Sequence, residues 1–111
     1  MGREPLSPEM PGLVAERFRA LAEPARLQIL QALRGGERAV GDLVEATGMG
    51  QANVSKHLQL LLTHGYVSRR KEGLFSYYTI ADRSVFELCD IMCGKLAEQT
   101  TQRRRVLARR A

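Results

Sequence analysis

Gly48-Met-Gly-Gln-Ala-Asn-Val-Ser-Lys-His-Leu-Gln-Leu-Leu-Leu-Thr-His-Gly65 is the stretch on which the reading of this chain turns. Gly48-Met49-Gly50 is a tight turn, and the pattern after it predicts a helix from about Gln51 to Thr63. Val54, Leu58, Leu61 and Leu62 recur at i, i+4, i+7 and i+8, which is one buried face. The positions left outward near the helix start are Gln51, Ala52, Asn53, Ser55 and Lys56. Gly50 falls at the N-cap, where glycine costs only a few tenths of a kcal/mol against the preferred serine or threonine. Upstream, Val40–Thr47 reads as a short helix with Val40, Leu43, Val44 and Thr47 on one side. Two short helices joined by a glycine-rich turn form a helix-turn-helix, and the second can read duplex DNA if its exposed end is polar.

The rest of the chain fits around this pair. Leu13 to Glu23 is expected to be a first helix, with Val14, Phe18 and Leu21 as its apolar stripe. Pro24 suits the first turn of a second helix, which runs through Leu33 and stops at Gly35-Gly36. Tyr66–Lys71 and Leu74–Ile80 have strand composition, and Glu72-Gly73 between them makes a β-hairpin. Asp82 or Ser84 can cap a last helix that continues to about Gln99 and toward the arginines beyond. The fold class is mainly α with a β-hairpin: a winged helix-turn-helix in the order helix, helix, helix-turn-helix, hairpin, C-terminal helix. Residues 12–100 make up this domain. Residues 1–11, with Pro5, Pro8 and Pro11, are expected to be a disordered arm, and residues 101–111 a basic tail.

The outward residues carry chemistry suited to base edges. Gln51 and Asn53 can bond adenine bidentately, Ser55 can bond a base edge or a phosphate, and Ala52 can meet a thymine methyl. Lys56 and the free N–H groups of the helix start suit phosphate. No acidic residue occurs between Gln51 and Lys71. An ordinary solvated helix face would mix glutamate with lysine. The hairpin adds Arg69, Arg70 and Lys71, then Ser76, Tyr77 and Tyr78. A basic wing of this kind lies along phosphates or enters the minor groove, and it also discourages edge-strand aggregation. His57, beside Leu58, reads as a packing or phosphate-contact residue, and His64 as a partner of the helix C-terminal dipole.

Composition sets the bounds. A chain of 111 residues allows one domain with a modest core. Residues 1–50 carry six basic and seven acidic side chains, net −1, and residues 51–111 carry eleven and five, net +6. That asymmetry favours a polyanionic partner, although Arg103, Arg104, Arg105, Arg109 and Arg110 supply five of the later charges. No apolar run is long enough to span a membrane, and the first residues lack the apolar segment of a signal peptide, so the expected location is cytoplasmic. No nucleophile elbow, phosphate-cradling loop or paired-carboxylate context occurs, so no enzyme activity is expected.

From Phe18 to Ile80 the chain resembles the ArsR/SmtB family of winged-helix transcriptional repressors. Three segments carry the resemblance: Leu21-Ala-Glu-Pro-Ala-Arg-Leu-Gln-Ile-Leu30; Gln51-Ala-Asn-Val-Ser-Lys-His-Leu58 with Leu61, Gly65 and Val67; and Arg69-Arg-Lys-Glu-Gly73 with Tyr77-Tyr78. The resemblance implies an obligate homodimer built from the first and last helices. It implies double-stranded DNA carrying an inverted repeat as the partner, and release by an effector. Members with a thiolate metal site on the third helix have cysteines where this chain has Ala39 and Gly41, in Glu37-Arg-Ala-Val-Gly-Asp-Leu43. Members with Asp and His ligands on the last helix differ as well, because no histidine stands there in this chain.

The last helix does hold Cys89 and Cys93, four apart and so on one face. They are candidate ligands for a thiophilic ion such as As(III), Cd(II), Hg(II) or Zn(II). Two further readings stay open: a redox signal taken through a cross-dimer link, and a purely apolar packing role. Two rival functions also stand beside repression, an architectural protein indifferent to DNA sequence and a winged-helix module that binds protein.

Overall fold

Pro24 sets the first boundary. Its ring disfavours helix in the preceding residue, and Glu23 is extended at φ −145°, ψ 122°. Helix α1 (Met10–Leu21) therefore ends and α2 (Pro24–Ala32) begins, with proline in the first turn of each. The computed structural model describes residues 7–110, with side chains described as far as residue 105. Helix α1 starts three residues before the expected Leu13, with the Met10 N–H on the Ser7 carbonyl at 3.0 Å. The last two residues of the expected arm are thus helical, and residues 1–6 lie outside the described residues.

A strand that the sequence reading did not foresee follows. β1 (Arg38–Ala39) is two residues long, too short to show an alternating pattern. It pairs antiparallel with β3 (Phe75–Ile80), Arg38 opposite Tyr78, and β3 pairs with β2 (Val67–Glu72), giving the order β1-β3-β2. The expected hairpin therefore belongs to a three-stranded sheet with β3 at its centre.

Helix α3 (Val40–Thr47) and helix α4 (Gln51–Thr63) match the expected ranges. Asp42 reaches back to the Ala39 N–H at 3.2 Å, which closes the start of α3. Gly48 ends it in the left-handed region at φ 72°, where a Cβ would be strained. The Thr47 hydroxyl donates to the Leu43 carbonyl at 2.6 Å and accepts from the Met49 N–H at 3.3 Å, so the turn is bonded from within. At the far end of α4, Gly65 at φ 77° lets Tyr66 N–H reach the Leu61 carbonyl and Gly65 N–H reach that of Leu62. This is a Schellman closure.

The chain divides into two compact units, residues 1–81 and 82–111. The core of the first gathers Ile29 and Leu30 from α2 and Leu33 at its C-cap, Leu43 from α3, Val54, Leu58 and Leu61 from α4, and Val67 and Tyr78 from the sheet. Among the described residues no polar or charged residue is buried. The second unit is α5 (Ser84–Arg110), opened by Asp82, whose carboxylate accepts from the Ser84 N–H at 3.0 Å. It runs through the stretch expected to be a separate basic tail, so the backbone of residues 101–110 is helical. The side chains of Arg109 and Arg110 lie outside the described residues.

Leu58 is 0% exposed at the centre of the seam. We expect Leu58→Ala to cost about 2–5 kcal/mol, read from chemical denaturation at fixed protein concentration.

Candidate nucleic-acid interface

With Val54, Leu58 and Leu61 buried, the helical period turns Gln51, Ala52, Asn53, Ser55 and Lys56 outward, and all five are exposed. Gly50 caps α4 in extended conformation at φ −67°, ψ 154°, with no side-chain bond to the first amides. The first turn holds no acidic residue. Its open N–H groups and positive dipole end therefore stand unopposed beside side chains that both donate and accept.

His57, read as a packing or phosphate-contact residue, lies against α2. Its ring is half-buried, and Nδ1 lies 3.3 Å from Nη1 of Arg26 on α2. At the end of α4 the free carbonyl of His64 accepts from Nη1 of Arg17 at 2.7 Å. The cation that serves that helix end is thus an arginine of α1. Arg17 also lies over the Tyr66 ring, 4.5 Å from its centroid, and its own carbonyl accepts from the Tyr66 hydroxyl at 3.0 Å.

Pleating divides the wing. Residues facing each other across the ladder share a side, so Arg69 and Lys71 lie with Tyr78 and Ser76, and Arg70 lies with Tyr77 on the reverse. Arg70 is spoken for. It grips Glu37 with Nε at 3.1 Å and Nη2 at 2.7 Å, donates to Glu72 through Nη1, and stacks 4.7 Å from the Tyr77 ring centroid. Among the described residues no ion pair engages Arg69 or Lys71, and both are exposed. The three basic residues that read as one patch, all exposed, therefore separate into two cations with no ion pair among the described residues and one tie. Glu37 escaped the sequence reading because β1, which brings it beside the wing, carried no signal. At the wing tip Leu74 is 101% exposed and Phe75 63%.

Cys89 and Cys93 lie one turn apart on α5, the first half-buried and the second exposed, and both are thiols. Among the described residues no three His, Cys, Asp or Glu side chains gather as a metal site. Two thiols leave a trigonal or tetrahedral site incomplete within one chain. Among the described residues no helix is long and apolar enough to cross a membrane.

Comparison with known proteins bears on this geometry. The family model "Bacterial regulatory protein, arsR family" matches residues 23–69, from the start of α2 into the wing. The HTH-type transcriptional regulator NmtR of Mycobacterium tuberculosis is 41% identical over 86 residues, 78% of this chain and 72% of that one. The chain belongs to the ArsR family of bacterial regulatory proteins. Other ArsR-type proteins extend the likeness. A probable mercury resistance operon repressor of Streptomyces lividans is 44% identical over 78 residues, 70% of this chain but only 62% of its own length. A homodimeric winged helix-turn-helix DNA-binding domain from Mycobacterium bovis, solved in solution, superposes with a TM-score of 0.73 at 38% identity, covering 88% of this chain and 91% of that one. The family consists of DNA-binding transcriptional regulators, not enzymes.

The clasp on the wing has a pH signature. The hydrogen bond from Arg70, helped by its charge, holds the Glu37 carboxyl below the ordinary glutamate range, and Arg70 is itself raised by Glu37 and Glu72. A carboxyl lowered in the fold contributes above its unfolded range, and the contribution fades as pH falls through the folded value. We expect carbon-detected NMR to show Glu37 titrating below an ordinary glutamate, and returning to the ordinary value in Arg70→Ala. An unshifted Glu37 in the parent protein would mean that the clasp is open in solution.

Proposed function

We propose that this chain is a homodimeric transcriptional repressor that sets α4 of each subunit into successive major grooves of an inverted-repeat operator. The observation that carries the reading is the start of α4: five exposed side chains, none acidic, around an unblocked helix N-terminus. Two such helices related by twofold symmetry would sit about 34 Å apart. Lys56, Arg69 and Lys71 supply phosphate contacts. Arg70 and Tyr77 act by holding the wing in place.

The dimer reading draws support from two apolar faces. Leu13, Val14 and Phe18 on α1 are 54%, 39% and 54% exposed, and Leu88, Ile91, Met92 and Leu96 on α5 are 45–65% exposed. Apolar clusters of this kind on regular helices mark association surfaces, and the Mycobacterium bovis relative is homodimeric. We expect Phe18→Asp and Ile91→Asp to shift the protein toward monomer in sedimentation and to lower operator affinity together. A stably monomeric parent protein would remove the basis of the reading.

The operator is found by selecting duplexes from a random pool. On the selected duplex, Asn53→Ala and Ser55→Ala should relax preference at one or two base positions, each worth about 1–3 kcal/mol. Arg69→Ala should weaken selected and random duplexes alike and flatten the salt dependence. Binding that ignores salt, or that survives these changes, would count against the reading. Deleting residues 103–111 would abolish binding only for an architectural protein indifferent to sequence.

For release, the soft donors on α5 are the candidate receptors. Cys89 lies on the same helical face as Met92 and Leu96, with Cys93 one turn on. A second chain brought against that face would double the thiols available to a thiophilic ion or an oxidant. We expect arsenite, cadmium or a mild oxidant to release DNA from the parent protein and not from a Cys89→Ser, Cys93→Ser variant. Equal release from both proteins would rule out the cysteines as receptors.

A further inference from the structure

Apolar burial is not directional. The seam of Val54, Leu58 and Leu61 fixes which face of α4 meets the core, but apolar contact alone leaves the last degrees of rotation about the helix axis to be set by other groups. Rotation matters at a reading helix, because functional geometry tolerates errors of only about 10–20°. A directional bond is needed, and the one nearest the reading end joins α4 to α2.

Nη1 of Arg26 lies 3.3 Å from Nδ1 of His57. The same guanidinium donates through Nε to the Ala20 carbonyl at 2.6 Å and through Nη2 to the Arg19 carbonyl at 3.1 Å, both in the last turn of α1. A guanidinium only donates, so Nδ1 of His57 must accept, and the neutral ring carries its proton on Nε2. The planar fork sends its N–H groups in fixed directions. Arg26 thus locks the ring of His57 to the end of α1, one helical turn beyond Asn53 in the reading segment. Arg17 holds the far end of the same helix through the His64 carbonyl.

We propose that Arg26 is a positioning residue for the recognition helix. It acts through Nδ1 of His57, and His57 serves DNA binding as the acceptor of this bond rather than as a contact to the duplex. The inference rests on the repressor reading above. It also means that Arg26, beside Arg17 at the far end of the helix, is a side chain through which a displacement of α1 reaches α4.

Substitutions at His57 separate the two ring nitrogens. Asparagine places a carbonyl oxygen near the position of Nδ1, glutamine places its amide near Nε2, and phenylalanine keeps the ring shape with no acceptor. Affinity is read by fluorescence anisotropy on a duplex selected by the parent protein and on a random duplex, with thermal unfolding followed in parallel. Losing a hydrogen bond to a charged group corresponds to about tenfold. We expect His57→Phe and Arg26→Met each to lose about that factor on the selected duplex and little on the random one. The double variant should bind no worse than either single one, because both remove the same interaction. His57→Asn should stay close to the parent protein.

Rescue by glutamine and not by asparagine would overturn the proposal in favour of a direct contact through Nε2. Additive losses would overturn it too, and so would equal losses on both duplexes accompanied by a lowered unfolding temperature, since that pattern marks damage to the fold. A parent protein that binds no duplex would overturn the repressor reading itself. A parent protein that binds well while His57→Asn falls as far as His57→Phe would overturn the positioning role alone.

Discussion

The structure depends on the division of α4 into a dry side and a wet side. Val54, Leu58 and Leu61 are fully buried, and burying side chains of this size is worth about 1.5–3 kcal/mol each. That gain leaves the helix little choice of which face enters the core. Once the seam is buried, Gln51, Asn53, Ser55 and Lys56 must stand in solvent at the helix start. The turn before the helix and the Schellman closure after it use glycine at positive φ, where other residues would be strained. The position of the reading end therefore follows from packing, and its chemistry is free to differ without disturbing the fold.

The arginines divide the labour. The chain carries a formal charge of +5, but several guanidiniums are committed to the protein itself. Arg17 meets a helix-end carbonyl and an aromatic ring, Arg26 meets two carbonyls and an imidazole, and Arg70 meets two carboxylates. Arginine suits these places because its donors point in fixed directions and its charge is permanent. Near the start of α4 and on the wing, the exposed cations outside these ties are Lys56, Arg69 and Lys71, the three that the proposed reading assigns to phosphate. A count of basic residues overstates the DNA-binding charge, and the pleat of the sheet says which residues to remove from it.

The exposed faces of α1 and α5 are the surfaces on which the dimer reading rests. Each sets several large apolar side chains in water, an arrangement that a second chain would relieve. Helix α1 also ends on the carbonyls that Arg26 holds, so it is joined through that side chain to α4. Cys89 and Cys93 sit on the second of these helices, α5.

Much of this was legible from the sequence. Helix periods of 3.6, Pro24 at a helix start and the glycines at helix ends gave α2, α3 and α4 nearly to the residue, because these signals are local and each residue supplies its own cause. The outward side chains at the start of α4 were legible for the same reason: the buried positions of one helix name its exposed ones. Tertiary structure decided what depends on chain segments far apart in sequence. The pairing of a two-residue strand with β3, the capture of Arg70 by Glu37 some thirty residues away, and the bond from Arg26 to His57 leave no periodic trace. A side chain's donors can be counted from its letter, but the acceptor each one finds depends on which segments the folded core brings together.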